Sequence, residues 1–476
     1  MDGKPDSADS NPKAALDANA GSSNATICFA IVRLMLTSFR FPLTAFIVAA
    51  WSIATWGGMP EESIPTGPPL ALAAQIDLET ALQWTLEKNP NLVATRQNLR
   101  VSAEAVNVAE HFPTSLNPSI SIEYTPWVFE RQPNGQVQDL DRSVFITWAQ
   151  PVELGHRQAY REQMARASYC QTRWNVLQAE LAALIQTYRM HQTALYRREK
   201  LGIAQDLNAF STRLVETLRR QAEANQATAA DVVLAEVENQ ATVEQVEAAR
   251  QDYVNALADL RQQIGIPSIA ASAEPIGTFR MPEDRIHGGD EVLVRMAQES
   301  RPEVQAAAAA TANSRSALSL ARADRIPIPS IGPAYERNET GAVFYGVALT
   351  SPVPLLNAGN SLVGQREAEY HRDCVAWQQA RQLVATQVVA TLVKWNQAQQ
   401  AAQRTQARFE PIRLQTERME RLYGAGQTDL LKLLQVRRRF IEARNVELDT
   451  IWQTTQAYAD LLSATGGTPL LSAPVK

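Results

Sequence analysis

The chain contains itself twice. A shift of 201 residues brings Gln150-Pro151-Val152 onto Ser351-Pro352-Val353, Asn225-Gln226 onto Gly426-Gln427, Ala258-Asp259-Leu260 onto Ala459-Asp460-Leu461, and Gly265 onto Gly466. Upstream the offset is 211, where Pro118-Ser119-Ile120 recurs as Pro329-Ser330-Ile331, and then 212, where Asn89-Pro90 recurs as Arg301-Pro302. The first copy therefore holds about ten extra residues between its two proline-flanked segments. A repeat of this kind cannot bury its apolar face alone, so the two copies, or several pairs of them, must close a common core. That overrules the two to four compact domains that 476 residues would otherwise suggest. The repeats divide the chain into an N-terminal segment (1–75), repeat one (76–265), a linker (266–289), repeat two (290–467) and a tail (468–476).

Each repeat alternates long helices with short strands. Between His156 and Ile264 there is no proline and a single glycine, Gly202, while Ala, Gln, Glu, Leu and Arg dominate, a strong helix composition. Apolar residues recur at three- and four-residue spacing in Leu177, Leu181, Leu184, Ile185 and Tyr188. They recur again in Val232, Val233, Val237, Val243 and Val246, which predicts narrow packing seams. The reversal falls at 223–227, whose repeat mate Gly424-Ala425-Gly426-Gln427-Thr428 spells out the turn. At ~1.5 Å per residue the helix from 157 to 223 spans roughly 100 Å and the return from 229 to 264 roughly 54 Å. The helix before the strands, 77–110, supplies roughly 50 Å more, so two short helices stacked end to end match the long one. The Pro/Gly-rich linker then lies halfway along a helical hairpin that no compact enzyme needs.

Two proline-bounded segments per copy have period two. Ile120, Ile122 and Tyr124 alternate with Ser121, Glu123 and Thr125, and Val144, Ile146 and Trp148 with Phe145, Thr147 and Ala149; in copy two Ile331, Tyr335, Tyr345, Val347 and Leu349 keep the phase. The turns are read at 131–140, with Asn134-Gly135, and at Asn338-Glu339-Thr340-Gly341. Four strands cannot close a barrel, and an open apolar face is an edge and a patch at once. A trimer supplies twelve strands; the competing reading is a pair of soluble hairpins packed on the helices.

The remaining composition excludes more than it assigns. Net charge is −5 from 45 basic and 50 acidic residues without a basic stripe, which argues against nucleic acid as a partner. Cys28, Cys170 and Cys374 form neither a disulfide framework nor a metal motif, and the few histidines do not cluster, so no metal site is read. No phosphate loop or nucleophile elbow is present, no cofactor is implied, and the chain is read as not an enzyme. An uncharged apolar stretch from Phe41 to Met59 after Arg40 is read as a signal-peptide-like leader, with an inner-membrane anchor as the alternative. Nothing after residue 75 is apolar enough for a membrane helix.

In order and duplication these features resemble the outer membrane efflux family, the TolC-like channels of tripartite exporters. The resemblance covers 76–467 and opens on Ile76-Asp77-Leu78-Glu79, Ala81-Leu82 and Asn89-Pro90-Asn91-Leu92. It implies a mainly α fold: a homotrimer with a twelve-stranded outer-membrane β-barrel and a twelve-helix periplasmic tunnel, working with a periplasmic adaptor and an inner-membrane efflux pump. Ile120, Ile122, Tyr124, Val144, Ile146, Trp148, Tyr335, Tyr345, Val347 and Leu349 then face outer-membrane lipid. Gln150-Pro151-Val152-Glu153-Leu154-Gly155-His156-Arg157 is similar to a run in the heavy-metal resistance branch but departs at His156, and its plain reading is a strand-to-helix corner. By resemblance the tips close the periplasmic end, with Asp231, Lys432 and Gln435 as candidate gate residues. Asn225, Gln226, Gly424, Gly426 and Gln427 are candidate adaptor-docking residues. Asp231 and Lys432 are repeat mates of opposite charge, so either a charge-paired constriction or two solvated helix ends fits them. The function expected is a passive outer-membrane export conduit for a heavy-metal cation or small molecule. The alternative is a structural coiled-coil scaffold, which predicts no phase-keeping strands.

Overall fold

Side-chain caps mark where the helices begin. Asp77 accepts the Thr80 N–H at 2.9 Å and starts α1 (Leu78–Lys88) behind the two-residue strand β1 (Gln75–Ile76). The Asn89 carboxamide oxygen accepts from Asn91 and Leu92 to start α2 (Pro90–Glu110), with Pro90 in the first turn, where no intrahelical donor is needed. In this computed structural model residues 75–126, 128–131, 133, 135, 137–140, 142–266, 274–283 and 289–467 are described. The leader, Trp127, Asn134 and the C-terminal tail lie outside them.

After α2 come β2 (Ser119–Thr125), β3 (Val128–Arg131), β4 (Val137–Leu140), β5 (Ser143–Pro151), α3 (Arg157–Glu223), α4 (Ala229–Ile264) and β6 (Glu274–Pro275). The second copy runs α5 (Asp290–Ser300), α6 (Pro302–Ala323), β7 (Ser330–Arg337), β8 (Val343–Thr350), α7 (Asn360–Gly424) and α8 (Leu430–Thr465). The fold is mainly helical, with long paired helices and a small sheet. At 67 and 65 residues, α3 and α7 each span about 100 Å.

The predicted strands form one antiparallel sheet in the order β2-β5-β7-β8, so β5 pairing with β7 joins the two repeats. The four-strand reading is incomplete. Most of the segment read as a turn is a further hairpin, β3 with β4, and β1 pairs in parallel with β6 of the linker.

The helix expected over 77–110 also needs correction, because it breaks at Asn89, and its repeat mate breaks at Arg301. Only α2 continues the axis of the return helix. Along α3, Arg166 pairs with Glu110 and Arg96 with Glu180 beside α2, then Arg197 with Asp252 and Arg219 with Glu236 beside α4. α1 instead lies against the last turns of α4, burying Ala81 with Leu257, Leu260 and Ile264, and its Thr85 hydroxyl meets that of Thr187 at 2.8 Å. The break is where the two short helices abut. A Cβ on Gly265, the left-handed cap of α4 (φ +80°), would stand 2.5 Å from the Lys88 carbonyl oxygen. Asn89 donates to the Gln263 carbonyl at 2.6 Å, and its mate Arg301 donates to the Ala464 carbonyl at 3.4 Å. The last carbonyls of each return helix thus acquire a donor from the break in the stacked helix.

The described linker residues 274–283 lie against the middle of α3. Arg198 donates to the carbonyls of Pro275 and Gly277, and Phe279 is buried against Tyr196. The core joining the repeats places Leu181, Ile185 and Tyr188 of α3 with Tyr458 and Leu461 of α8 around Trp395, which is 2% exposed. The apolar spacing read on α3 is therefore the packed face. On α4 only Val246 of the five valines is buried, with Val232 half-buried; Val233, Val237 and Val243 are exposed, and Ala235, Thr242 and Tyr253 carry the seam.

Candidate functional site

The first candidate region is the sheet. Its register places Ile122 opposite Ile146, Ile146 opposite Tyr335 and Tyr335 opposite Tyr345. Ile120 stands opposite Trp148 and Tyr124 opposite Val144, while Val347 and Leu349 follow Tyr345 at period two. All ten side chains singled out in the sequence share one face, because directly paired residues point the same way. Val144 and Tyr335 are half-buried; the other eight are exposed. The opposite face carries Ser121, Thr147, Ala334, Gly346 and Ala348. Strands β2 and β8 are each paired on one side only, so the sheet is open at both ends.

A corner fixes how this sheet meets the helices. Gly155 (φ +82°) and His156 (φ +60°) turn the chain from β5 into α3, and Arg161 grips Glu153 through two bonds of 2.6 and 2.7 Å. The buried Arg157 guanidinium donates to the Ala323 and Ile326 carbonyls at the end of α6 and pairs with Asp324 at 3.3 Å. Each charged residue in this run thus has a partner that shapes the corner. Among the described residues no group of acidic, His or Cys side chains could hold a metal.

The second candidate region is the tips. Gln226 N–H donates to Gln221 O at 2.7 Å and its mate Gln427 N–H to Leu422 O at 2.9 Å, the same helix-ending bond at both turns. Asn225 takes the left-handed position in the first (φ +56°) and Gly426 in the second (φ +70°). Gly424 ends α7 itself. Asparagine tolerates this conformation less well than glycine. Asn225→Gly is expected to raise the unfolding midpoint and Gly426→Ala to lower it, each by up to about 1 kcal/mol in chemical denaturation.

Asp231 closes a capping box: its carboxylate accepts from the Thr228 N–H and hydroxyl, and these bonds hold its pKa below the usual range. Lys432 lies 3.4 Å from Asp429, the cap of α8. Within one chain Asp231 and Lys432 therefore bind their own caps, and Gln435 lies one turn further along α8. The tips do pack together, with Tyr423 and Leu434 lying against the cluster of Leu214, Leu218 and Ala235. Above them an open groove of about 710 Å³ between α3, α4 and α8 carries Arg437, Arg438, Glu238 and Asp252.

Sequence reasoning missed His191. It lies inside the helical core at 1% exposure, and neither ring nitrogen has a well-formed hydrogen bond. Burial pushes its pKa down to about 4, against partial support from the Ile76 backbone and the Asp77 carboxylate, while Arg198 adds to the depression. The folded protein therefore holds His191 neutral where the unfolded chain, at about 6.5, binds a proton. Stability is full above pH 6.5 and falls by roughly 3 kcal/mol as pH drops to 4. Denaturant midpoints measured between pH 7 and 4 are expected to lose much of this slope in His191→Gln.

Residues 293–467 match the family model described as outer membrane efflux protein. The matched stretch contains most of α5 and all of α6 to α8 with both strands of the second copy, which is repeat two almost entire. Repeat one has the same order of helices and sheet strands with the β3–β4 hairpin added, and solved structures share the fold over 82% of the chain. CusC, described by its transmembrane channel formation, aligns with a TM-score of 0.65 at 14% identity, covering 82% of this chain and 92% of that one. The outer-membrane channel OprN gives 0.66 at 14% identity, over 82% and 90%. The Campylobacter jejuni CmeC outer membrane channel gives 0.65 at 13% identity, over 82% and 85%. At these identities the likeness is one of fold. No curated protein matches the sequence.

Proposed function

We propose that the protein is the outer-membrane channel of a tripartite efflux system, a passive export conduit extending into the periplasm. The observation that carries this reading is the open four-stranded sheet, apolar and exposed on one face, mounted on helices of about 100 Å. Water does not tolerate such a face with two free edges; lipid does, once the edges are joined. Three copies bring twelve strands, an even-numbered closed barrel with the ten singled-out residues toward lipid and the other face, small or polar apart from Phe145 and Phe344, toward the lumen. The helices then enclose the periplasmic tunnel. OprN and CmeC, whose fold it shares, are described as outer-membrane channels.

The partners of this reading are two further copies of the chain, a periplasmic adaptor at the tips (Asn225, Gln226, Gly424, Gly426, Gln427) and an inner-membrane pump. Among the described residues nothing forms a metal site, so solute choice rests with the pump; the Gln150–Arg157 corner supports a metal cation only through family resemblance. In the trimer, three copies of Asp231, Lys432 and Gln435 form the periplasmic constriction.

Fractionated membranes and the native mass in detergent test the proposal. A trimer in the outer-membrane fraction that conducts ions in planar bilayers is expected. A soluble monomer, or a protein confined to the inner membrane, overturns the channel. Lys432→Glu is expected to change single-channel conductance; an unchanged value removes the gate.

A further inference from the structure

One row of the sheet differs from all the others on its face. Across the four strands the register sets Glu123 opposite Phe145, Phe145 opposite Glu336 and Glu336 opposite Phe344. Directly paired residues point the same way, so these four side chains line up on the face turned away from Ile120, Ile122 and Tyr124. The next row on that face is Ser121, Thr147, Ala334 and Gly346. Among the residues of β2, β5, β7 and β8 on this face only Glu123 and Glu336 are charged, and only Phe145 and Phe344 are aromatic. The row therefore holds all the charge of the face and its bulkiest side chains.

Nothing within the chain neutralises that charge. Both glutamates are exposed, and neither carboxylate meets a cation or a hydrogen-bond donor among the described residues. Phe344 is 53% exposed and Phe145 half-buried. Two strand spacings separate the glutamates, about 10 Å, too far for them to chelate one ion between them. Whatever the row does to a solute, it does through its field and its width.

We propose that this row gives the barrel lumen a preference for cations over anions, with Glu123 and Glu336 as the residues that set it. The inference rests on the channel reading above and adds to it the charge class of what passes: the pump chooses the solute, and the barrel favours positive ones. Strands of a closed barrel tilt by about 40°, so a row running straight across them climbs by roughly 3 Å per strand. Threefold symmetry then sets three copies of Glu123 at one height and three of Glu336 roughly 6 Å along the axis, with the Phe145 rings between them. Two glutamates per copy make six negative charges, and no positive charge on the strands opposes them. A wall of low dielectric behind such charges focuses their field into the lumen, where it draws cations in and turns anions away. The phenyl rings narrow the path at the same level, and their faces attract cations too. The row stands one pair in from the turn that joins β7 to β8, at the end of the sheet far from the helices, so a solute meets it last. The tips supply no such bias through Asp231 and Lys432, whose charges cancel.

Reversal potentials of the full chain in neutral phosphatidylcholine bilayers, under a tenfold KCl gradient, test the proposal. The wild-type channel is expected to pass potassium over chloride by roughly threefold or more at low salt, a preference that fades near about 1 M, where the Debye length is about 3 Å. Glu123→Gln with Glu336→Gln should bring the ratio to about 1 and leave the yield of trimer unchanged, since both side chains are exposed and without partners. Phe344→Cys, with Cys28, Cys170 and Cys374 replaced by serine, reads the field at the row itself. A cationic thiosulfonate reagent should modify this thiol several-fold faster than an anionic one of similar size, and the two glutamines should erase the difference. A conducting trimer whose labelling ratio is the same with and without the two carboxylates overturns the inference and leaves the channel reading standing. So does a wild type that prefers chloride, or a Phe344→Cys thiol that resists both reagents. A protein that conducts in no variant overturns both.

Discussion

Alanine at Gly332 should part the two repeats. A Cβ there would fall far inside van der Waals contact with the Trp148 carbonyl oxygen and 2.7 Å from its carbon, so strand β7 cannot approach β5 unless this position has no side chain. The obstruction is backbone on both sides, and no rotamer change relieves it. It also stands at the one seam where repeat one meets repeat two in the sheet. Gly332→Ala is therefore expected to cost on the order of 4 kcal/mol, read as a lowered midpoint in chemical denaturation. Gly346→Ala, whose added Cβ meets nothing within 4 Å, should change stability by less than about 0.5 kcal/mol. Equal behaviour of the two variants would mean that the β5–β7 approach is looser than described.

The second large effect is expected at Arg157. Its guanidinium is buried and takes up two carbonyls at the end of α6, where the helix has no donors of its own. Methionine preserves much of the packing volume but leaves both carbonyls unpaired, at about 1 to 3 kcal/mol for each buried group. Arg157→Met should thus lower stability by about 2 to 6 kcal/mol in chemical denaturation. Asp324→Asn is the informative comparison. Asp324 is nearly half exposed, so its ion pair with Arg157 contributes roughly 0 to 1 kcal/mol. If the two variants were equally damaging, the ion pair and not the carbonyls would hold the corner.

Both residues lay in view in the sequence without their roles. Gly332 occupies a solvent-neutral position in a strand pattern, and Arg157 reads as an ordinary first-turn residue of a long helix. Their importance comes from β5 for Gly332 and from α6 for Arg157, each more than 160 residues away in the chain. The same holds for the Asn89 and Arg301 breaks. The repeat offset marked both as equivalent, but their side chains meet helix ends contributed by Gln263 and Ala464. His191 gave no local signal at all, since what lowers its pKa is burial by distant segments.

What the sequence determined by itself is what depends on a few neighbouring residues. The ends of α3 and α4, the tip turns and the phase of all four sheet strands follow from proline and glycine placement, caps and apolar period, which act over a turn or two. The duplication sharpened each of these, because a turn blurred in one copy was plain in the other. Tertiary structure alone decided which face of α4 is packed, where the stacked helix breaks, the order β2-β5-β7-β8 and the hairpin of β3 with β4. These are choices among partners far apart in the chain. Local propensity is nearly indifferent to them, and they are settled by which surfaces can be covered together.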